Sequence, residues 1–504
     1  MKRDRFVLNT AVFSAATFIS RILGYIRDAV IAFIFGANPL TDAFFVAWRL
    51  PNTLRQLIGE GSFNAVFIPI YTEEKKISEE SANRYASSLF TYYTLLISLI
   101  TVFVILFADF FVRIIAPGFV EKGNFEEAVN LVRMVFPYLI LVGWVSFFMA
   151  LLNMRDRFFI PAVSPALLNL SFIISALFLS QYYGIYALAI GAISGGILQV
   201  LLQILFAYRE GIRLGFSFRF HQRIKETFKR MIPAFSSFGV SQFAFVIDTV
   251  IASFLVGGSV SYLYYGNRIF QLPLGLFAIG LGNALLVSLS RYFSEKDMDG
   301  FYRDLNNGIK LAIFISIPAT VGMIVLGKEI IQLLLMRGEF RESDTLMTYY
   351  ALVGYSIGLT GYALTRPFKS AFFAVGDMKT PLNSTVFGLG VSIIFAVLLG
   401  FLMKWGVFGL ATASSIGGMA GLFYLYKRSD FKINRNDIVI TMIKVVTSSL
   451  FMAFAVYIFK EAVPSIIIQV FGGVLVGIVV YFLSSYILRE SSFIFFIKTI
   501  GKKL

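Results

Sequence analysis

Fourteen long apolar segments, separated by short polar connections, constrain this chain more than anything else in it. Their approximate cores are 7–35, 42–72, 86–115, 128–152, 158–180, 185–208, 231–256, 263–290, 308–333, 346–375, 382–403, 407–426, 437–459 and 464–488. Each is long enough to cross a hydrocarbon layer about 30 Å thick as a helix. Backbone groups in lipid must be satisfied within their own segment, so a helix is the expected form of each. Only 14% of residues are charged, against about 25% in soluble proteins. The sequence therefore predicts an all-α polytopic membrane protein. There is no cysteine and a single histidine, His221, which excludes disulfides, thiol chemistry and Cys/His metal sites. The basic N-terminus resembles a signal-peptide n-region, but the apolar stretch behind it is too long and has no small-residue cleavage site. It reads as a retained first helix.

The net charge of +15 invites a nucleic-acid reading. Its distribution favours another. Lysine and arginine fall about four to one on the side holding the even-numbered connections and both ends of the chain. By the positive-inside rule both termini are expected in the cytoplasm, with no nucleic-acid partner. The basic run 209–230 reads as a topology signal in contact with anionic lipid, or else as the site of a specific partner.

The chain also repeats itself. Asp28-Ala-Val-Ile-Ala-Phe returns as Asp248-Thr-Val-Ile-Ala-Ser, an offset of 220. Gly184-Ile-Tyr-Ala-Leu-Ala, ending at Gly195-Gly196, returns as Gly406-Val-Phe-Gly-Leu-Ala, ending at Gly417-Gly418, an offset of 222. Two six-helix halves of the same orientation follow, since six is even. The expected organisation is an N-lobe over 1–210 (spans 1–6) and a C-lobe over 211–430 (spans 7–12). Two further helices (spans 13–14) and a cytoplasmic tail occupy 431–504.

Charge inside the spans marks the candidate site, because each ionised group at mid-helix costs about 2.5 kcal/mol or more. Span 1 carries Ser20-Arg-Ile-Leu-Gly-Tyr-Ile-Arg-Asp28. Arg21 and Asp28 are seven apart and share a face with Gly24 between them, while Arg27 lies about 100° away. Such a face suits a path for an anion. Span 2 holds Asp42, Arg49, Pro51, Arg55 and Gly59-Glu60-Gly61. Asp42 and Arg49 are spaced to pair. Arg55 reads as cavity-lining or as a structural ion pair. Span 8 brings Arg268 after the Tyr264-Tyr265 pair, and span 7 brings Asp248. Asp248 is either a proton or cation site or the partner of an arginine on another helix. Arg113, Arg133, Arg366, Lys369 and Lys444 lie towards span ends and are expected to snorkel. Enzyme signals are poor: no acidic pair, phosphate loop or extramembrane catalytic domain is evident.

The run from Ser20 to Asp28, then Thr41-Asp-Ala-Phe-Phe-Val-Ala47, Leu50-Pro-Asn52 and Arg55, closely resembles the MurJ (MviN) family of lipid II flippases. So do Ala116-Pro-Gly-Phe119, Pro165-Ala-Leu-Leu-Asn169, Tyr264-Tyr265 with Arg268, and Lys379-Thr-Pro381. The resemblance implies the fold of the multidrug/oligosaccharidyl-lipid/polysaccharide exporter superfamily. It implies transfer of lipid-linked peptidoglycan precursor, lipid II, from the inner to the outer leaflet of the cytoplasmic membrane by alternating access. It places the family's cavity arginines on Arg21, Arg27, Arg55 and Arg268 and its acidic residues on Asp28 and Asp42. Asn267 and Gln271 depart from the pattern, standing where some relatives carry acids. No cofactor is implied; a sodium ion, a proton or the membrane potential is the expected driving force, with Asp248 as the candidate ion site. Cell-wall synthesis proteins and anionic lipids are the further partners expected. Two alternatives stay open: another exporter of the superfamily, for O-antigen lipid or cationic drugs, and a non-transporting scaffold for cell-wall enzymes.

Overall fold

The structure is a computed structural model that describes residues 2–55 and 62–493. All regular structure among the described residues is helical. In chain order the helices are α1 (Lys2–Phe35), α2 (Pro39–Arg55), α3 (Ser62–Ile77), α4 (Glu79–Leu106), α5 (Ala108–Ile115), α6 (Phe119–Lys122) and α7 (Phe125–Val135). Then come α8 (Tyr138–Met154), α9 (Phe159–Tyr183), α10 (Tyr186–Arg209), α11 (Arg223–Phe254), α12 (Ser259–Pro273) and α13 (Ile279–Ser294). The chain finishes with α14 (Met298–Leu335), α15 (Glu342–Ile357), α16 (Leu359–Ala374), α17 (Lys379–Phe395), α18 (Gly406–Arg428), α19 (Arg435–Ala462) and α20 (Ile466–Ile487). Each of the fourteen predicted segments coincides with one helix or with two in succession.

Nine helical stretches among the described residues have the length and apolarity to cross a membrane; one joins α7 to α8 across Phe136-Pro137, and another passes from α17 into a π-helical turn, Ala396–Leu402. They match spans 3–6, 9 and 11–14. The other five predicted spans are 1, 2, 7, 8 and 10, and each has a local reason. Span 1 carries its charges in α1. Span 2 is divided between α2 and α3. The polar stretch Ser236-Ser237, Ser241-Gln242 dilutes α11. In span 8, α12 passes at Pro273 into a π-helical turn, Leu274–Ala278, before α13. Pro273 has no N–H to give and its ring crowds the preceding turn, which favours such a break. Span 10 is divided at Gly358, between α15 and α16. These five spans carry Arg21, Arg27, Asp28, Asp42, Arg49, Arg55, Asp248, Arg268, Arg366 and Lys369.

The chain divides into two compact units, Met1–Val260 with Arg337–Phe340, and Ser261–Met336 with Arg341–Leu504. In the first, α9 packs on α10 through small residues. A Cβ on Gly195 would lie 3.0 Å from the Cα of Leu168, and one on Gly196 would meet the Tyr138 ring at 2.9 Å. In the second unit α17 packs on α18 in the same way. A Cβ on Gly417 would come within 2.6 Å of the Gly388 carbonyl oxygen, and one on Gly418 within 2.8 Å of the Tyr362 ring. The two repeated Gly-Gly pairs thus do one job in both halves: the first glycine lets the paired helix approach, and the second receives a tyrosine. In lipid, where no hydrophobic force drives helices together, such close backbone approach is what holds them.

The second unit also carries α19 and α20, which close on α14. Tyr481 donates to the Phe314 carbonyl at 2.6 Å, and Lys460 pairs with Glu329 at 2.9 Å.

Replacing Gly417 by Val should drive a branched side chain into the Gly388 backbone. Overpacking of this kind costs about 1–3 kcal/mol, so the melting temperature in detergent should fall by several degrees. Gly390→Ala, on the same pair of helices but facing open space, should leave it unchanged.

Candidate functional site

Arg27 is the best-defined charge inside the first unit. Its Nε and Nη2 donate to Asp28 Oδ1 at 2.9 and 2.6 Å, and its Nη1 donates to Asn169 Oδ1 on α9 at 3.1 Å. The guanidinium carbon also lies 5.6 Å from the centre of the Phe172 ring. Asn169 completes the arrangement by donating from Nδ2 to the Ser20 carbonyl of α1 at 3.0 Å. The side chains of Arg27 and Asp28 are only 11% and 4% exposed. Adjacent helical residues point about 100° apart, and the arginine meets its neighbour because its stem is long enough to fold back. Arg21, which shares a helical face with Asp28 in sequence, is exposed and makes no pair with it.

Span 2 contributes differently. Asp42 is buried, and its Oδ2 accepts from the Gly258 N–H at 2.7 Å, fixing the turn between α11 and α12. Gly258 has φ +92°, a conformation that suits glycine. Lys122 reaches the same region, donating to the Ser253 carbonyl at 2.8 Å. Burial pushes its ammonium below the usual lysine value, and the Asp42 carboxylate pulls it back up. Gly118, from the Ala116-Pro-Gly-Phe119 motif, donates its N–H to Ser253 Oγ at 3.0 Å. Arg49 donates to Thr249 Oγ1 on α11. Asp42 and Arg49, spaced to pair in sequence, each reach a different part of α11 and its following turn. Arg55 is half-buried and donates to Asn52 Oδ1 at 3.1 Å. Glu60, with Gly59 and Gly61, lies outside the described residues, as do the tail cations Lys498, Lys502 and Lys503.

Asp248 sits next to Thr249 on α11 and is half-buried. In the second unit Arg268 is half-buried on α12; on the same helix Tyr262 donates to Asp344 Oδ1 at 2.8 Å, and Gln271 donates to Asn267. The structure therefore joins Arg27 to Asp28, and Asp42 to the turn at Gly258.

These arrangements meet a family comparison directly. The family model described as "Lipid II flippase MurJ" matches residues 31–485. The chain belongs to the MurJ lipid II flippase family. A probable lipid II flippase MurJ of Aquifex aeolicus is 34% identical over 448 residues, covering 89% of this chain and 88% of that one. One from Vibrio cholerae is 32% identical over 440 residues, covering 84% and 82%. Among solved structures, a lipid II flippase MurJ in an inward closed conformation matches with a TM-score of 0.82 at 30% identity, covering 95% of this chain and 99% of that one. An inward-facing multidrug transporter of the MOP superfamily shares the fold, with a TM-score of 0.67 at 15% identity, covering 83% and 97%. The MurJ family is one of multi-pass membrane transporters and not of enzymes.

Sequence reading of this MurJ-family chain missed a second charged cluster. Glu74, beyond the end of span 2, is only 4% exposed. It accepts from Ser81 Oγ at 2.6 Å and from Arg223 Nε at 3.1 Å, and His221 Nε2 lies 3.6 Å away. Arg223 also bonds Glu226 at 2.7 Å. The Ser81 hydroxyl above all, then the Arg223 guanidinium, hold the Glu74 carboxyl below the usual range, against burial, which pushes it up. Part of the basic run 209–230 is thus spent on fastening the start of α11 to α3 and α4.

Two tests follow. Asn169→Ala removes the acceptor for Arg27 and the donor to Ser20 together. It should lower the melting temperature by an amount corresponding to about 1–3 kcal/mol. Glu74 has a lowered folded pKa, so its stabilisation is complete above the unfolded glutamate value of about 4.3 and is lost as pH falls through the folded one. Melting temperature should therefore drop less between about pH 5 and 3 in Glu74→Gln than in the parent chain.

Proposed function

We propose that this chain carries lipid II from the inner to the outer leaflet of the cytoplasmic membrane by alternating access. The observation that supports this most is a guanidinium held in place inside a membrane span, Arg27 between Asp28 and Asn169, in a chain of the MurJ family. Arginine's planar fork suits the oxygens of a diphosphate. Arg21, Arg27, Arg55 and Arg268 are the residues proposed to bind it. Asp28 orients Arg27, and Asp42 acts through the turn it fixes at Gly258. Asp248 is proposed as the group through which a sodium ion or proton drives the cycle. The repeat supports a lobe division of 1–210 and 211–430, with 431–504 added for the polyprenyl tail. The loop charges support cytoplasmic termini. Anionic lipids are proposed as neighbours of the 209–230 connection, and cell-wall synthesis proteins as partners.

Charge-assisted bonds contribute roughly 1.5–3 kcal/mol each, so loss of one arginine should weaken diphosphate-lipid binding about ten- to a hundredfold. Alanine at Arg27 or Arg268, with expression checked, should fail to sustain growth in cells depleted of their own lipid II flippase. Lysine should rescue only in part. Asn169→Ala separates scaffold from ligand: it should melt earlier yet keep salt-sensitive binding. Normal growth of both alanine variants would remove the arginines from the mechanism. A cysteine at position 220 should react with an impermeant thiol reagent only in opened cells; labelling in intact cells would invert the topology.

A further inference from the structure

Four of the five spans outside the nine apolar stretches hold residues already given a role. The fifth, span 10, is α15 with α16, and its charges, Arg366 and Lys369, have none. They lie three apart in α16, so they project from one side of it. Both are half-buried. Lys369 Nζ donates to Thr385 Oγ1 of α17 at 3.1 Å. The Arg366 stem lies across Gly282 of α13, where a Cβ would be 3.4 Å from the arginine Cβ, and the adjacent Ser370 Oγ donates to the Gly282 carbonyl at 2.8 Å. Two cations therefore sit where α13, α16 and α17 meet.

Neither cation has a counter-charge among the described residues. α13, α16, α17 and α18 contain no aspartate or glutamate, and on α14, which also packs against α16, Asp304 accepts from Ser288 Oγ and Glu329 pairs with Lys460. No carboxylate pairs with Arg366 or Lys369 among the described residues, whereas Lys310 and Lys460 of the same unit pair with Asp437 at 2.8 Å and Glu329 at 2.9 Å. Snorkelling does not account for them. Thr385 lies six residues into α17, about 9 Å from its first residue, and Lys369 turns to it there. Thr385 Oγ1 in turn donates to the Pro381 carbonyl at 3.0 Å, so it offers Lys369 an acceptor without charge. Two of the three ammonium donors and the guanidinium fork remain for a ligand. Like charges one helical turn apart, partly stripped of water, are costly until an anion joins them.

We propose that Arg366 and Lys369 form a second phosphate site, within the second unit and separate from Arg27, that takes the phosphate of a lipid. The guanidinium grips two oxygens and the ammonium a third. The lipid tail lies along α17, where Leu382 and Val386, one turn apart on either side of Thr385, are 42% and 50% exposed. The phosphate belongs either to an anionic glycerophospholipid headgroup or to a polyprenyl diphosphate. The chemistry is the same for both.

The test uses the full-length chain in phosphatidylcholine nanodiscs, with phosphatidylglycerol added in one arm and undecaprenyl diphosphate titrated in the other. Lipid retention is read by native mass spectrometry and stability by melting. R366Q/K369Q should weaken retention in at least one arm about tenfold or more and reduce the melting shift that lipid gives the parent chain. K369R should keep both. Loss in the phosphatidylglycerol arm alone identifies a headgroup; loss in the diphosphate arm identifies the polyprenyl carrier. R27A should leave phosphatidylglycerol retention unchanged, which separates this site from the central arginines. Should the double variant fail to fold, K369Q carries the same comparison. Unchanged retention and an unchanged melting shift in both arms would overturn the proposal.

Discussion

Charge in hydrocarbon has to be answered, and the ways this chain answers it organise the rest of the structure. An ionised side chain within a span costs several kcal/mol unless something offsets the lost hydration. Arg27 is answered by the carboxylate next to it and by an amide from α9. Lys460 and Lys310 are answered across helices, by Glu329 and Asp437, and these pairs tie α14 to α19. Asp42 and Lys122 are answered by backbone, one by an N–H and the other by a carbonyl, at the turn after α11. Each solution fixes two elements to each other, so the polar groups act as joints in a scaffold that dispersion and small-residue contacts hold elsewhere.

That division of labour separates the apolar spans from the charge-bearing ones. Spans 5 and 6, like 11 and 12, are apolar and joined by glycine at close approach. They need no polar joint. Span 8 contains a proline-linked π turn and span 10 a glycine break, while spans 1 and 7 are single helices that carry charged and polar residues. Irregular or charged segments are tolerated at membrane depth only where protein or a water-filled cavity surrounds them. The sequence repeat sets charge-bearing segments at corresponding positions, 1 with 7 and 2 with 8.

Much of this was legible in the sequence, because hydropathy and intramembrane charge act locally. All fourteen segments proved helical over their described residues, and the repeated Gly-Gly pairs proved to make the same contact in both halves. What escaped the sequence depends on which helix lies next to which. Asn169 reads as part of a motif and not as the partner of Arg27, since the two are 142 residues apart. Glu74 reads as one more exposed loop charge, yet it is buried under Ser81 and Arg223. Lys369 reads as a snorkelling lysine from its distance to the span end. Only the position of α17 reveals that it turns inward.

The manner in which Arg27 is held bears on how a flippase can release what it binds. A guanidinium left bare in a low-dielectric site would grip a diphosphate so tightly that transport would stall. Translocation needs binding strong enough to admit the substrate and weak enough to let it go. Asp28 and Asn169 already occupy Nε, Nη2 and Nη1 of Arg27. A phosphate arriving there exchanges with acceptors already present, and the net gain is the difference between two sets of charge-assisted bonds. When the phosphate leaves, Asp28 and Asn169 restore the free state without leaving a buried charge unpaired. On the role proposed for Arg27, its acidic neighbour would set the exchange close to balance, and substitution of Asp28 by a neutral residue would hold substrate more tightly while slowing its release.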